Sequence, residues 1–301
     1  MLLALAFVQP PVAVRVPAAL PAAVVALLQE RLGAAAAVTA VGEPVPPSPG
    51  SAVLLGFDEW TLARADAAVE AIALPFADTI VLVHDAAVAA GDTAPTWESV
   101  ALDPALHDRL GLAGPEVDAA TWLAALRGRL GHGGGEAAGI ALWTTLDARA
   151  GRLAASAAAV VDGVVSGRFA AAIGPAVWFR DLPARAGGPL RASPLSGPEV
   201  RRGVAVTASA DARTRALAAS LAEPQRAREV AGWLGLGPAA GGPPVVTAAA
   251  ARRWWQQFEV DVRGRGRGAE QLADWLDLAF GLGFLVCALL LWRALRKAPA
   301  P

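Results

Sequence analysis

The chain has 301 residues, long enough to build more than one hydrophobic core. Ala, Gly, Pro, Val and Arg dominate; Lys and Cys occur once each and Tyr never, so a disulfide framework is excluded. A net charge of -1 gives no chain-wide field for nucleic acid or an acidic substrate, and partner choice must come from local features.

The N-terminal "MLLALAF" reads as a short export-signal remnant over 1–11, although it has no basic segment before it and an ordinary apolar start is the alternative. The β-branched "VAVRV" (12–16) predicts a strand, and "AALPAAVVALLQERLG" a helix stopped by Gly33. "AVTAV" (37–41) and "SAVLLG" (51–56) predict further strands on either side of a Pro-rich loop. "FDEWTLARADAAVEAI" (57–72) reads as helical and "TIVLVHD" (79–85) as a strand. This alternation predicts a parallel sheet with helices on its faces.

From 86 to about 168 the chain is mostly helical, with Pro and Gly punctuation, and reads as a second lobe. Thr96 is a plausible N-cap that leaves Trp97 as a packing residue. The strands "FAAAI" (169–173) and "GVAVT" (203–207) restore the alternation, before helices at 211–235 and 247–260. "RRWWQQFEVDVRGRGRG" mixes cations with aromatics, but Glu259 and Asp261 interrupt it and its glycines suit a juxtamembrane linker better than a nucleic-acid surface. The run 272–292 is largely apolar over about the 20 residues that span a bilayer, with Trp275 and Trp292 toward its ends and Arg293, Arg296 and Lys297 following. Arg263, Arg265 and Arg267 on the other flank nearly balance those charges, so charge alone does not orient the span.

The ordered set "VAVRVPAALPAAVVALLQERLGA", "SAVLLGFDEW", "LPFADTIVLVHD", "APTWESVALDPALHDRLGLAGP", "VVSGRFAAAIG" and "GVAVTASADARTRALAASLAEPQRAREVAGW" resembles the solute-binding proteins of ATP-binding-cassette importers, in the type 2 periplasmic branch that includes ferric-iron binders. The resemblance covers about 12–237 and implies an α/β fold of two lobes around a cleft, here with one C-terminal transmembrane helix. It divides the chain into a first lobe over 12–85 and 186–258, a second lobe over 86–185, a linker over 259–271, a span over 272–292 and a basic tail over 293–301.

Ligands of open α/β sheets sit beyond the carboxyl ends of strands, which directs attention to Asp58, Glu59 and Trp60, and to Gly174, Pro175 and Trp178. Helix capping by Asp58 and Glu59, and core filling by Trp178 and Phe179, are the plainer readings of the same residues. The second-lobe turn that the family builds from hydroxyls is "VDAATW" here, leaving Asp118 and Thr121 as its polar groups and a cleft poor in polar ligands. Family members that bind ferric iron do so through tyrosine phenolates, and this chain has none. His84, His107 and His132 are dispersed, so no metal and no cofactor is expected.

No phosphate-binding loop, nucleophile elbow or dinucleotide fingerprint occurs. The expectation is a non-enzymatic, membrane-anchored, extracytoplasmic protein that captures a small solute and serves a permease. A binding fold that has lost its ligand and acts as a structural or regulatory partner is the alternative.

Overall fold

The computed structural model describes residues 10–42, 50–85, 95–131, 133, 135–182, 189–197, 199–239, 246–264 and 284. The chain divides into two compact units, Met1–Trp254 and Trp255–Pro301.

In the first unit, strand β1 (Val12–Pro17) alternates buried and half-buried residues, and helix α1 (Ala22–Leu32) follows, ended by Gly33 at φ 67°. Strands β2 (Ala36–Val41) and β3 (Ala52–Asp58) flank β1 in parallel. All seven residues of β3 are buried, as expected of a strand covered on both faces. Helix α2 (Glu59–Ala65) stops early, and 69–72, read from sequence with the helix, instead begins strand β4 (Val69–Asp78). Alanines in "ADAAVEAIALPFAD" support helix without setting a period. Register shifts between Ala71 and Ala73 and between Ala73 and Phe76 then break the alternation that would mark a strand. Pro75 falls in the second irregularity, where a missing N–H costs no ladder bond.

Thr79 alone separates β4 from β5 (Ile80–Asp85), which leaves the first sheet for a second one. The helices α3 (Trp97–Leu102), α4 (Ala119–Gly131), α5 (Glu136–Ala150) and α6 (Ala157–Val165) then accompany the short strand β6 (Leu110–Gly111), β7 (Ala171–Pro175) and β8 (Leu190–Pro194). Thr96 and Ser99 cap α3 reciprocally, at 3.1 and 2.9 Å. Strand β9 (Val200–Thr207) returns to the first sheet, followed by α7 (Ala212–Ala222), α8 (Pro224–Leu234), β10 (Gly237–Pro238) and α9 (Ala248–Gln257).

The first sheet runs β10-β4-β9-β3-β1-β2 and the second β6-β7-β5-β8. Both are mixed rather than parallel: β9 is antiparallel to β3 and β4, and β5 is antiparallel to β7 and β8. The chain therefore crosses between sheets at Thr79 and again between β8 and β9, not near 85 and 185 where the sequence was divided. Sheet membership depends on partners more than 100 residues away, which a local pattern does not carry. A single apolar cluster includes Val14, Val53 and Val204 of one sheet with Val81, Val83 and Ala172 of the other.

The second unit's described part contains a π-helical turn, Phe258–Arg263, supported by an Arg263–Glu259 ion pair at 2.7 Å and a Gln257–Asp261 hydrogen bond. The linker expected over 259–271 thus begins as ordered helix, held by side-chain pairs one turn apart. The signal remnant up to residue 9, the rest of the linker, the span over 272–292 apart from Phe284, and the tail lie outside the described residues. Among the described residues no helix is long and apolar enough to cross a membrane.

Candidate functional site

Asp58 ends β3 and opens α2, where its carboxylate accepts hydrogen bonds from the backbone N–H of Thr61 at 2.9 Å and from the Thr61 hydroxyl at 2.8 Å. The capping reading of this residue is therefore correct, and it coexists with a second role. The antiparallel register sets Asp58 opposite Arg202 of β9, and Arg202 is the centre of a buried charge cluster. Its Nε donates to Asp78 at 2.5 Å, its Nη1 donates to the Gly56 carbonyl at 3.0 Å, and its Nη2 lies 3.8 Å from Asp118. Asp118, just before α4, accepts a hydrogen bond from the Thr121 hydroxyl. Asp58, Asp78 and Asp118 are thus gathered around one guanidinium at the seam where the two sheets meet, with Thr121 bonded to Asp118 behind them.

Three carboxylates share one cation here, and all are removed from water. Burial pushes Asp118 up to about 7, a rise that Arg202 and the Thr121 hydroxyl only partly oppose. Asp78 is likewise raised by burial against the pull of Arg202. Burial alone would lower the Arg202 guanidinium, but Asp78, Asp58 and Asp118 together hold it above its ordinary value. With Asp118 and Asp78 both raised by burial, uptake of a proton relieves the cluster's excess negative charge.

A second ion pair crosses the same seam. Glu59 of α2 is buried and accepts from Arg127 of α4, and also from the Arg201 backbone N–H at 3.2 Å. Beside it Trp60 lies flat on Trp143 of α5, with centroids 5.5 Å apart and planes 10° from parallel. Trp122 meets Trp143 edge-on at 6.2 Å and Trp254 meets Trp60 edge-on at 6.3 Å. Three of these indoles donate to carbonyls, Trp60 to Ala251 at 3.0 Å, Trp122 to Ala113 at 2.8 Å and Trp143 to Trp122 at 2.7 Å. Those three rings are fixed at their polar ends as well as by packing.

Gly174 and Trp178 are placed differently. Trp178 is 6 % exposed and turns back over its own strand, so that a Cβ added to Gly174 would stand 2.6 Å from the Trp178 ring. Trp178 and Phe179 belong to the apolar core cluster, as the core-filling reading expected. Trp97 is 2 % exposed and lines a cavity of about 70 Å³ at the crossover, together with Asp78, Thr79, Leu195 and Glu199. That volume is well below the several hundred Å³ of a usual ligand pocket. Among the described residues no group of three His, Cys, Asp or Glu side chains is arranged to hold a metal.

The expectation of a polar-poor seam needs correction, because Asp78, Arg127 and Arg202 were not anticipated. Asp78 went unnoticed because β4 did. Arg202 sits in "VRRGVAVT", where an arginine inside an otherwise apolar strand is the one signal available in sequence. It becomes meaningful only when β3 and β4 are known to flank it.

No protein-family model matches the sequence, and no curated protein matches it either. Solved structures do share its fold. The periplasmic binding protein AfuA from Actinobacillus pleuropneumoniae, with fructose-6-phosphate bound, superposes with a TM-score of 0.64 at 11% identity, over 84% of this chain and 98% of that one. Iron-bound HitA from Pseudomonas aeruginosa gives 0.58 at 16% identity, over 83% and 98%. The sulfate-binding protein SubI from Mycobacterium tuberculosis H37Rv gives 0.55 at 16% identity, over 87% and 99%. All three are binding proteins, and the likeness at these identities is one of fold: the chain has the two-sheet architecture of periplasmic solute-binding proteins.

Proposed function

We propose that this chain is an extracytoplasmic solute-binding protein of the ATP-binding-cassette importer type, tethered to the cell membrane by the apolar run 272–292. It captures a small solute between its lobes and delivers it to a permease, without any covalent step. The observation that carries the reading is the convergence of Asp58 and Asp118, the latter held by Thr121, on Arg202 where the two sheets meet. Strands lead to that place from both sheets, as ligand sites of open α/β sheets require. The two crossovers, at Thr79 and between β8 and β9, supply a hinge about which the lobes separate to admit the solute.

Thermal-shift screening of the full-length protein in detergent against inorganic anions, organic acids, amines and sugars tests this directly. One class is expected to raise the melting temperature, since binding to the folded state adds stability. Thr121→Ala should then weaken that solute by about tenfold, the cost of one lost polar contact. A second reading, a ligand-free binding fold acting as a membrane-tethered structural or regulatory partner, is favoured by the Trp60–Trp143 stack and the Glu59–Arg127 pair. Those side chains fill space that a solute would use. Silence across the whole screen decides for it and against capture.

A further inference from the structure

Helix α9 touches both sides of the seam within three consecutive residues. Arg252 pairs with Asp66, just beyond α2 on the first-sheet side. Arg253 forms a two-pronged pair with Glu136, in the first turn of α5 on the second-sheet side, at 3.0 and 2.8 Å. Trp254 packs its edge on Trp60, and the Ala251 carbonyl accepts the Trp60 indole N–H. Successive helical residues point about 100° apart, so neighbouring arginines on one helix reach opposite walls only if the helix lies along the line where those walls meet. The pairing with Arg253 also holds Glu136 below its ordinary value.

We propose that α9 is a strap laid along the closed seam, tying α2 to α5, so that opening the lobes must detach it from one side. The same residues serve as the seat: Trp60 is both the platform for Trp254 and the partner of Trp143 across the seam. A movement that parts Trp60 from Trp143 carries Asp66 away from Glu136, and α9 cannot follow both. The strap converts lobe opening into release of the helix from which the chain runs on through Trp255 toward its C-terminal segment. It rests on the hinge assumed above but needs no solute.

The test is hydrogen exchange, read by mass spectrometry, on the full-length protein without added solute, comparing the parent with Arg253→Gln and Glu136→Gln. Each variant removes the Arg253–Glu136 ion pair and leaves the Arg252–Asp66 tie; Glu136→Gln also neutralises the carboxylate that the Trp254 indole meets. Exchange is expected to rise about two- to fivefold in α9 and, with it, in the first turns of α2 and α4 that face each other across the seam. Arg226→Gln, which breaks an exposed pair with Glu229 within α8, serves as the control and should leave the seam unchanged. Faster exchange confined to α9, no change anywhere, or an equal seam response to Arg226→Gln overturns the strap. Because solute is absent throughout, a negative solute screen refutes capture and leaves this result standing on its own.

Discussion

At the end of β3 the chain turns through Asp58 into α2 and offers Glu59 and Trp60 to the helices of the other sheet, where Arg127 and Trp143 meet them. At the end of β7 it turns through Gly174 and Pro175 into a short 3₁₀ turn, Ala176–Phe179, which brings Trp178 back over the strand it left. Both are carboxyl ends, both carry a Trp within a few residues, and both qualified as candidate ligand ends on sequence. What separates them is the element that follows. A helix capped by an aspartate carries its first residues outward to the seam, whereas a tight turn after glycine folds its aromatics into the core. Position at a strand end is therefore insufficient; the direction of the next turn decides whether a side chain meets the helices beside the other sheet.

The comparison breaks most visibly at Arg202. Replacing it by Met leaves Asp58, Asp78 and Asp118 buried without their cation, and should cost about 3–5 kcal/mol in urea denaturation. An unchanged midpoint would mean the cluster is wetter than its burial implies. Trp143→Ala removes the far half of the stack and should cost about 3 kcal/mol, with Trp60 becoming accessible to acrylamide quenching. At the β7 end, Gly174→Ala forces the Trp178 ring to move and should cost about 1–3 kcal/mol without altering exchange at the seam. If that substitution loosens the seam as well, the two strand ends are not independent.

The smallest effect is the one with a pH signature. Asp118 has its folded value raised to about 7 above an ordinary 3.8, so the folded state binds the proton more tightly than the unfolded chain. Its contribution to stability is complete below the unfolded value and is lost as pH rises through about 7. Lowering pH from 8 to 6 should therefore raise the melting temperature by about 2–4 °C, and Asp118→Asn, neutral at every pH, should flatten the curve. The opposing shift at Glu136 acts only near and below its ordinary value of 4.5, outside this window. A parent protein that loses stability on acidification over that range contradicts the buried, proton-sharing arrangement.

Much of this was legible beforehand, for reasons that can be named. The strands β1, β2, β3 and β9 were found because β-branched runs between turn residues are local signals. Asp58 was singled out because a strand end is a local signal, and Asp118 and Thr121 because the turn that the resemblance points to falls on "VDAATW"; that Asp58 and Asp118 share Arg202 was not visible from either. The strand β4 was hidden by alanine and by its bulges, and with it Asp78. The placement of β5 and β8 in the second sheet was hidden because antiparallel pairing with distant strands leaves no mark on either segment alone. Arg127 and Trp143 read as ordinary helix residues until the packing of α2 against α4 and α5 gives them partners.

The strand order of the first sheet has one more consequence, for how the chain acquires its shape. Among the described strands β4 is hydrogen-bonded to β9 and β10 alone, so Val69 waits for Thr207 and Phe76 for Pro238. During synthesis, β4 emerges with both edges bare, while β5 to β8, which pair only with one another, can complete their sheet first. In that order of assembly the second sheet forms early, and the first is finished late, by insertion of β9 between β3 and β4. A long-lived open edge of this kind invites pairing with other chains. Nascent chains ending before residue 200 should therefore bind holding chaperones or aggregate, and those extended past 238 should not.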